Sequence, residues 1–226
     1  MNNEHSKIIA KVAKQKLKPL GILQKGKSRV WLDDRGWFTT VIEFQPSSWA
    51  RGAYLNIGAN FHWYKTEHFG FDLGDRVENF IEYKNDEQFT AEMEKFCNLI
   101  IKKVLEIREN LKTVFSAKRI IIKHSFESEE LWGNYHKGII CGLTGDFDEL
   151  NKFYSDILKQ DSIRQWTCGN TGTVHSTHIH WIDDLKEDVK YLISKTSSLD
   201  LFKAEILQII VETRKLKKLS EIEIDL

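Results

Sequence analysis

Residues 36–64, GWFTTVIEFQPSSWARGAYLNIGANFHWY, constrain the fold more than any other stretch. Apolar residues recur there at every second position, the side-chain period of a strand. From 37 to 45, Phe38, Thr40, Ile42 and Phe44 fall on one face and Trp37, Thr39, Val41, Glu43 and Gln45 on the other. Pro46 lacks a ladder donor and stands where the pattern breaks, and Gly52 closes the turn. The alternation then resumes, with Ala53, Leu55, Ile57, Ala59 and Phe61 opposite Tyr54, Asn56, Gly58, Asn60 and His62. This is a β-hairpin with one apolar face that the rest of the chain must cover. The register predicts that Phe38, Ile42, Phe44, Leu55 and Ile57 are buried together, since a slip of one residue turns every side chain over. Trp49 and Arg51 lie on the joining loop. That loop is either a lid folded back on the core, the reading that large aromatic side chains favour, or a binding tip.

The flanking segments supply the cover. Residues 4–17 pattern as a helix, with Ile8, Ile9, Val12, Ala13 and Leu17 at three- and four-residue spacing; Pro19 and Gly21 end it. Short strands at 22–24 and 29–32 lead through turns into the hairpin. Residues 76–83 alternate imperfectly and favour a further strand over a helical turn. A long helix follows, capped by Asn85 or Asp86, with Phe89, Met93, Phe96, Cys97, Ile100 and Val104 on its stripe. The run Ile120, Ile121, Ile122 fits a helix or a buried strand. Residues 131–158 read as an αα-hairpin turning at Gly145 and Asp146, with Gly138 letting the second helix come close. Residues 162–177 are polar and turn-rich, and two helices and a short tail, frayed or forming a last strand, complete the chain. The expected fold class is α+β: an N-terminal helix and an antiparallel β-meander of four to five strands, followed by a mainly helical C-terminal half. The expected organisation is a single domain over 1–226, with helix plus sheet in 1–84 and the helical portion 85–226 packed on it.

Composition excludes some function classes. Thirty-three basic residues balance 33 acidic ones, so no bulk charge draws the chain to nucleic acid. Cys97, Cys141 and Cys168 are too few and too scattered for a disulfide framework. With neither a membrane-spanning run nor a secretory leader, a cytoplasmic location is expected.

Candidate chemistry is sparse. Cys168, His175, His178 and His180, in CGNTGTVHSTHIH, are ligand types that zinc prefers, although their spacing matches no standard zinc signature. His178 and His180 are two apart, as side chains sharing a strand face are. His175, Ser176 and Thr177 form one HxT tripeptide of the kind two-histidine phosphoesterases use twice; the second copy is missing. No phosphate-binding glycine loop or GxSxG elbow occurs. The acidic pairs Asp33–Asp34 and Asp183–Asp184 have adequate work as turn formers and caps. A binding surface is the better candidate: Trp49, Arg51, Tyr54, Asn56, His62 and Trp63 on the polar side of the hairpin, unless helices cover that side too.

The segments Pro19-Leu20-Gly21-Ile22, Val41-Ile42-Glu43-Phe44-Gln45-Pro46-Ser47 and Leu55-Asn56-Ile57-Gly58, with Arg76, resemble elements of a bacterial family of domains of unknown function, the one numbered 4304. Ile22 replaces the family's usual Phe, and the likeness covers about the first half of the chain. It implies a stand-alone cytosolic bacterial protein and carries over no catalytic residue. The reading that results is a non-enzymatic protein- or ligand-binding module, with an immunity-type protein as one specific form. Another protein is the expected partner, and nucleic acid, membrane and cofactors are not expected. The alternative is a metal-dependent hydrolase centred on His175, His178 and His180, with zinc as its metal.

Overall fold

A computed structural model describes residues 4–168 and 173–226 of the protein. Two compact units divide the chain, residues 1–113 with 207–226, and residues 114–206. The long helix and the C-terminal segment therefore group with the sheet, rather than with the helical portion where the sequence pattern alone puts them.

In the first unit, α1 (Glu4–Leu17) buries Ile9, Val12, Ala13 and Leu17, the expected stripe. A single 3-10 turn with Pro19 near its start ends at Gly21, whose φ of 79° suits glycine. Five antiparallel strands follow in chain order: β1 (Leu23–Gln24), β2 (Val30–Asp34), β3 (Phe38–Gln45), β4 (Gly52–Phe61) and β5 (Leu73–Glu82). The β3–β4 ladder pairs Phe38 with Phe61, Ile42 with Ile57 and Phe44 with Leu55, which is the register read from the alternation. Phe38, Ile42, Phe44, Leu55 and Ile57 are all buried, none more than 3 % exposed. α2 (Asp86–Asn110) starts at Asn85, whose side chain accepts from the Gln88 amide at 2.9 Å. Phe89, Met93, Phe96, Cys97, Ile100 and Val104 of α2 join the α1 stripe and Ile42, Phe44, Leu55 and Ile57 in one core. Each such side chain contributes roughly 1.5–3 kcal/mol on burial, which makes this layer the main source of stability in the unit.

The opposite sheet face is covered at one end only. There Thr39, Asn60 and His62 are fully buried, and residues at the C-terminal end of α7 (Leu199–Leu216), with Lys217 just beyond, bond to that end. The Thr213 hydroxyl donates to the Tyr64 carbonyl at 3.0 Å, and Lys217 donates to Asn60 at 2.6 Å and to the His68 carbonyl. Burial lowers the Lys217 ammonium to about 8. The Arg214 guanidinium, 5 % exposed, donates to both Asp34 oxygens at 2.6 and 2.8 Å and to the Gly36 carbonyl at 2.8 Å. The last residues form no strand; Ile222 and Ile224 pack beside Gly36.

In the second unit the Ile run ends a helix rather than forming a strand: Ile120 and Ile121 close α3 (Val114–Ile121), and Ile122 lies in the turn beyond it. α4 (Asn134–Leu143) and α5 (Phe147–Leu158) form the expected αα-hairpin, turning at Gly145 with φ 79°. A Cβ at Gly138 would lie 2.1 Å from Tyr154 Cε1, so the contact between these helices requires glycine there. The stretch read as polar and turn-rich, residues 162–177, holds β6 (Ile163–Thr167) and most of β7 (Val174–His178), an antiparallel ribbon. All ten of its strand positions are exposed, so neither strand carries the buried alternation that marks a strand in sequence. α6 (His180–Ile193) follows directly, burying Ile182, Leu185, Val189 and Leu192.

Candidate functional site

The β3–β4 turn projects Trp49 into water. The indole is 95 % exposed, so the lid expected for this loop is not formed. Residues 46–51 make a polar turn in which the Ser47 hydroxyl accepts from the Trp49 amide at 3.1 Å, and nothing apolar folds over the ring. Arg51 is exposed beside it.

Tyr54 and Asn56 continue this surface along β4 and are half-buried. The Arg76 guanidinium of β5 stacks 4.2 Å over the Tyr54 ring and donates to Gln45 Oε1 at 2.8 Å. Asn56 Nδ2 donates to Glu43 and Gln45 at 2.9 and 3.0 Å. Phe80 lies 5.0 Å from Tyr54, ring to ring. This strip is therefore held in place by side-chain bonds before anything docks on it. Sequence reading placed Arg76 in the family-like turn only; its role here follows from the β4–β5 pairing, which sets Asn56 opposite Arg76.

His62 and Trp63 do not belong to this surface, and their place in the expected binding set is corrected. Both are fully buried. Thr39 Oγ1 and the Gly36 carbonyl lie 3.0 and 2.8 Å from the two His62 ring nitrogens. Burial pulls the imidazole down to about 4, against the Gly36 hydrogen bond, which raises it. Trp63 stacks on Phe61 and Trp37 with ring centres 4.4 and 5.2 Å apart. The C-terminal end of α7 shields this end of the face, whereas Tyr54 and Asn56 remain at the open end.

The acidic pair at 33 and 34 anchors distant arginines rather than only forming a turn. Asp33, 2 % exposed, receives Arg108 through two bonds of 2.9 and 2.8 Å, and Arg35 at 3.2 Å. Beside it opens a cleft of about 440 Å³ lined by Trp37, Phe38, Leu105, Glu109 and Glu223 among others.

The expected Cys168–His175–His178–His180 ligand set is divided by the ribbon. Cys168 stands opposite Thr173 at the far end, its amide donating to the Thr173 carbonyl at 2.9 Å, whereas His178 pairs with Ile163 at the near end. Five residues of strand separate the two ends, roughly 16 Å at about 3.3 Å per residue. His175 is three residues from His178 on the same strand and so faces the other side, where it stacks 5.5 Å from Trp166. The hydrolase centre built on all three histidines therefore does not assemble. His178 and His180 do meet, with ring centres 4.2 Å apart, but across the strand-to-helix junction rather than along one strand. The structure adds a third donor that sequence reading treated as a cap: Asp183 Oδ2 is 2.5 Å from His178 Nε2. Metal-ligating atoms of His178, His180 and Asp183 all lie within 4.8 Å of one another. A hydrogen bond from Ser162, helped by His178, holds the Asp183 carboxyl below its usual range.

Comparison with family models, with curated proteins and with solved structures gave no match to this chain. Among the described residues, no helix is long and apolar enough to cross a membrane.

Proposed function

We propose that this chain is a non-enzymatic protein-binding module that engages another protein through the β3–β4 tip and the strip of Tyr54, Asn56 and Arg76. The observation that carries the reading is Trp49, 95 % exposed on a turn beside a stacked Tyr–Arg pair. Trp, Tyr and Arg are the residues in which interface energy concentrates. An indole left in water forgoes roughly 2 kcal/mol or more of burial, which a partner pocket restores. Pre-organisation of Arg76 and Asn56 by Gln45 and Glu43 lowers the ordering cost of docking. The cytoplasm is the compartment we assign. Its support is Cys97 and Cys141, two buried free thiols that desolvation raises to about 12 and about 11.

A photoreactive phenylalanine analogue at position 49 tests the proposal in cells of the source organism. The expected result is one discrete protein adduct, lost when Arg76→Ala is added and not formed from a probe at the exposed Lys152 of α5. An adduct profile equal at both positions, or none at 49, refutes it.

A further inference from the structure

We infer that His178, His180 and Asp183 form a binding site for one divalent transition-metal ion of the zinc class, at the junction of the β6–β7 ribbon and α6. This site is distinct from the proposed docking surface and does not rest on it.

The geometry points to a cation in two ways. Two imidazoles and a carboxylate, the donor types zinc takes besides thiolate, bring their ligating atoms within 4.8 Å of each other. Nothing apolar separates them; the two rings lie 4.2 Å apart and the carboxylate touches one of them at 2.5 Å.

The scaffold also suits ligation. His180 and Asp183 are three residues apart in the first turn of α6, a spacing that sets side chains side by side on a helix. The buried Ile182 and Leu185 fix that turn against its unit. His178 ends β7, and the Ile179 amide between the two histidines donates to the Ser162 carbonyl at 2.8 Å, which locks the junction. The Ser162 side chain bonds the Asp183 carboxylate, an outer contact of the sort that orients a ligating carboxylate. No side chain caps the start of α6, so none of these three groups is committed as its cap. Three protein donors leave at least one coordination position to water. The bound ion would tie the last residue of the exposed ribbon to a rigid helix, fixing the ribbon's direction.

The test is a zinc titration of the purified full-length protein, stripped with a chelator, in competition with a chromophoric zinc indicator. One saturable equivalent is expected. His178→Ala and His180→Ala should each weaken it by roughly 100-fold and Ser162→Ala by roughly 10-fold, while His175→Ala leaves it unchanged. Far-ultraviolet circular dichroism of each variant, matched to the parent, separates ligand loss from misfolding; a variant that misfolds is replaced by His178→Gln or Asp183→Asn, for which the same loss is expected. Cobalt substitution reads the donor set: visible bands without a thiolate-to-cobalt charge-transfer band support nitrogen and oxygen ligands. No saturable zinc, equal affinity in the folded histidine variants, loss on His175→Ala, or a thiolate band would each overturn the inference.

Discussion

Lowering pH should destabilise this protein through His62 before its carboxylates matter. The ring is fully buried between Thr39 and the Gly36 carbonyl, with Lys217 and Arg214 adding positive potential. Its pKa falls from 6.5 to about 4 on folding, chiefly from burial. Below 6.5 the unfolded chain takes up a proton that the folded chain refuses until about 4. The unfolded state therefore binds more protons across that window, and stability rises with pH through it. Stability is complete above 6.5 and is lost progressively as pH drops to about 4. At about 1.4 kcal/mol for each tenfold change in proton affinity, the loss amounts to roughly 3 kcal/mol, a large part of a typical domain's stability. Urea unfolding at a series of pH values measures it, and the His62 ring-proton shift in a nuclear magnetic resonance titration reads the folded pKa directly. In His62→Gln the overall stability is lower but the slope across this window should flatten by about one proton. A His62 resonance titrating near 6.5, or an unchanged slope in the variant, would refute the burial argument.

Three further outcomes follow from packing. Gly138→Ala should destabilise by about 1–3 kcal/mol in urea unfolding, despite the ~1 kcal/mol that alanine gains in a helix, because the new Cβ meets Tyr154 Cε1 at 2.1 Å. Tyr154→Phe should be neutral or stabilising by about 1 kcal/mol in the same assay, since the buried hydroxyl has no hydrogen-bond partner among the described residues. Arg214→Met should cost roughly 3 kcal/mol or more by thermal or urea unfolding, as it leaves Asp34 and the Gly36 and Ser220 carbonyls without their shared donor.

What was legible in the sequence had a short period and a buried face. The β3–β4 register, the α1 and α2 stripes, the Asn85 cap and the Gly138 contact all follow from local spacing, since each element hides one face. The β6–β7 ribbon was not legible because it hides neither face, so selection for burial left no alternation in it. The burial of His62 and Trp63 was not legible for a different reason. Asn60 and His62 read as a polar, solvent-facing row, but Lys217 and Arg214 arrive from more than 150 residues away to satisfy that end of the sheet. Polar residues paired with polar residues carry no hydrophobic signature, so long-range coverage of this sort is invisible to any pattern of apolar spacing.

The candidate metal centre shows how ligand type and ligand geometry part company. Cys168, His175, His178 and His180 look like a cluster because they lie close in sequence, but a ribbon converts sequence distance into length and alternating sides. Cys168 is carried to the far end, and His175, an odd number of residues from His178, is turned to the other side. Proximity survives only where the strand stops. At that break the chain passes from a period of two to a period of 3.6, so His178 closes one element and His180 opens the next. On the helix the neighbour of residue 180 is residue 183, which makes Asp183 the third donor. Read with the junction in place, the motif is HxHxxD rather than a run of histidines. The single ambiguity that hid it was where strand gives way to helix, and the apolar positions Ile182, Leu185 and Val189 place the helix start within a turn of His180.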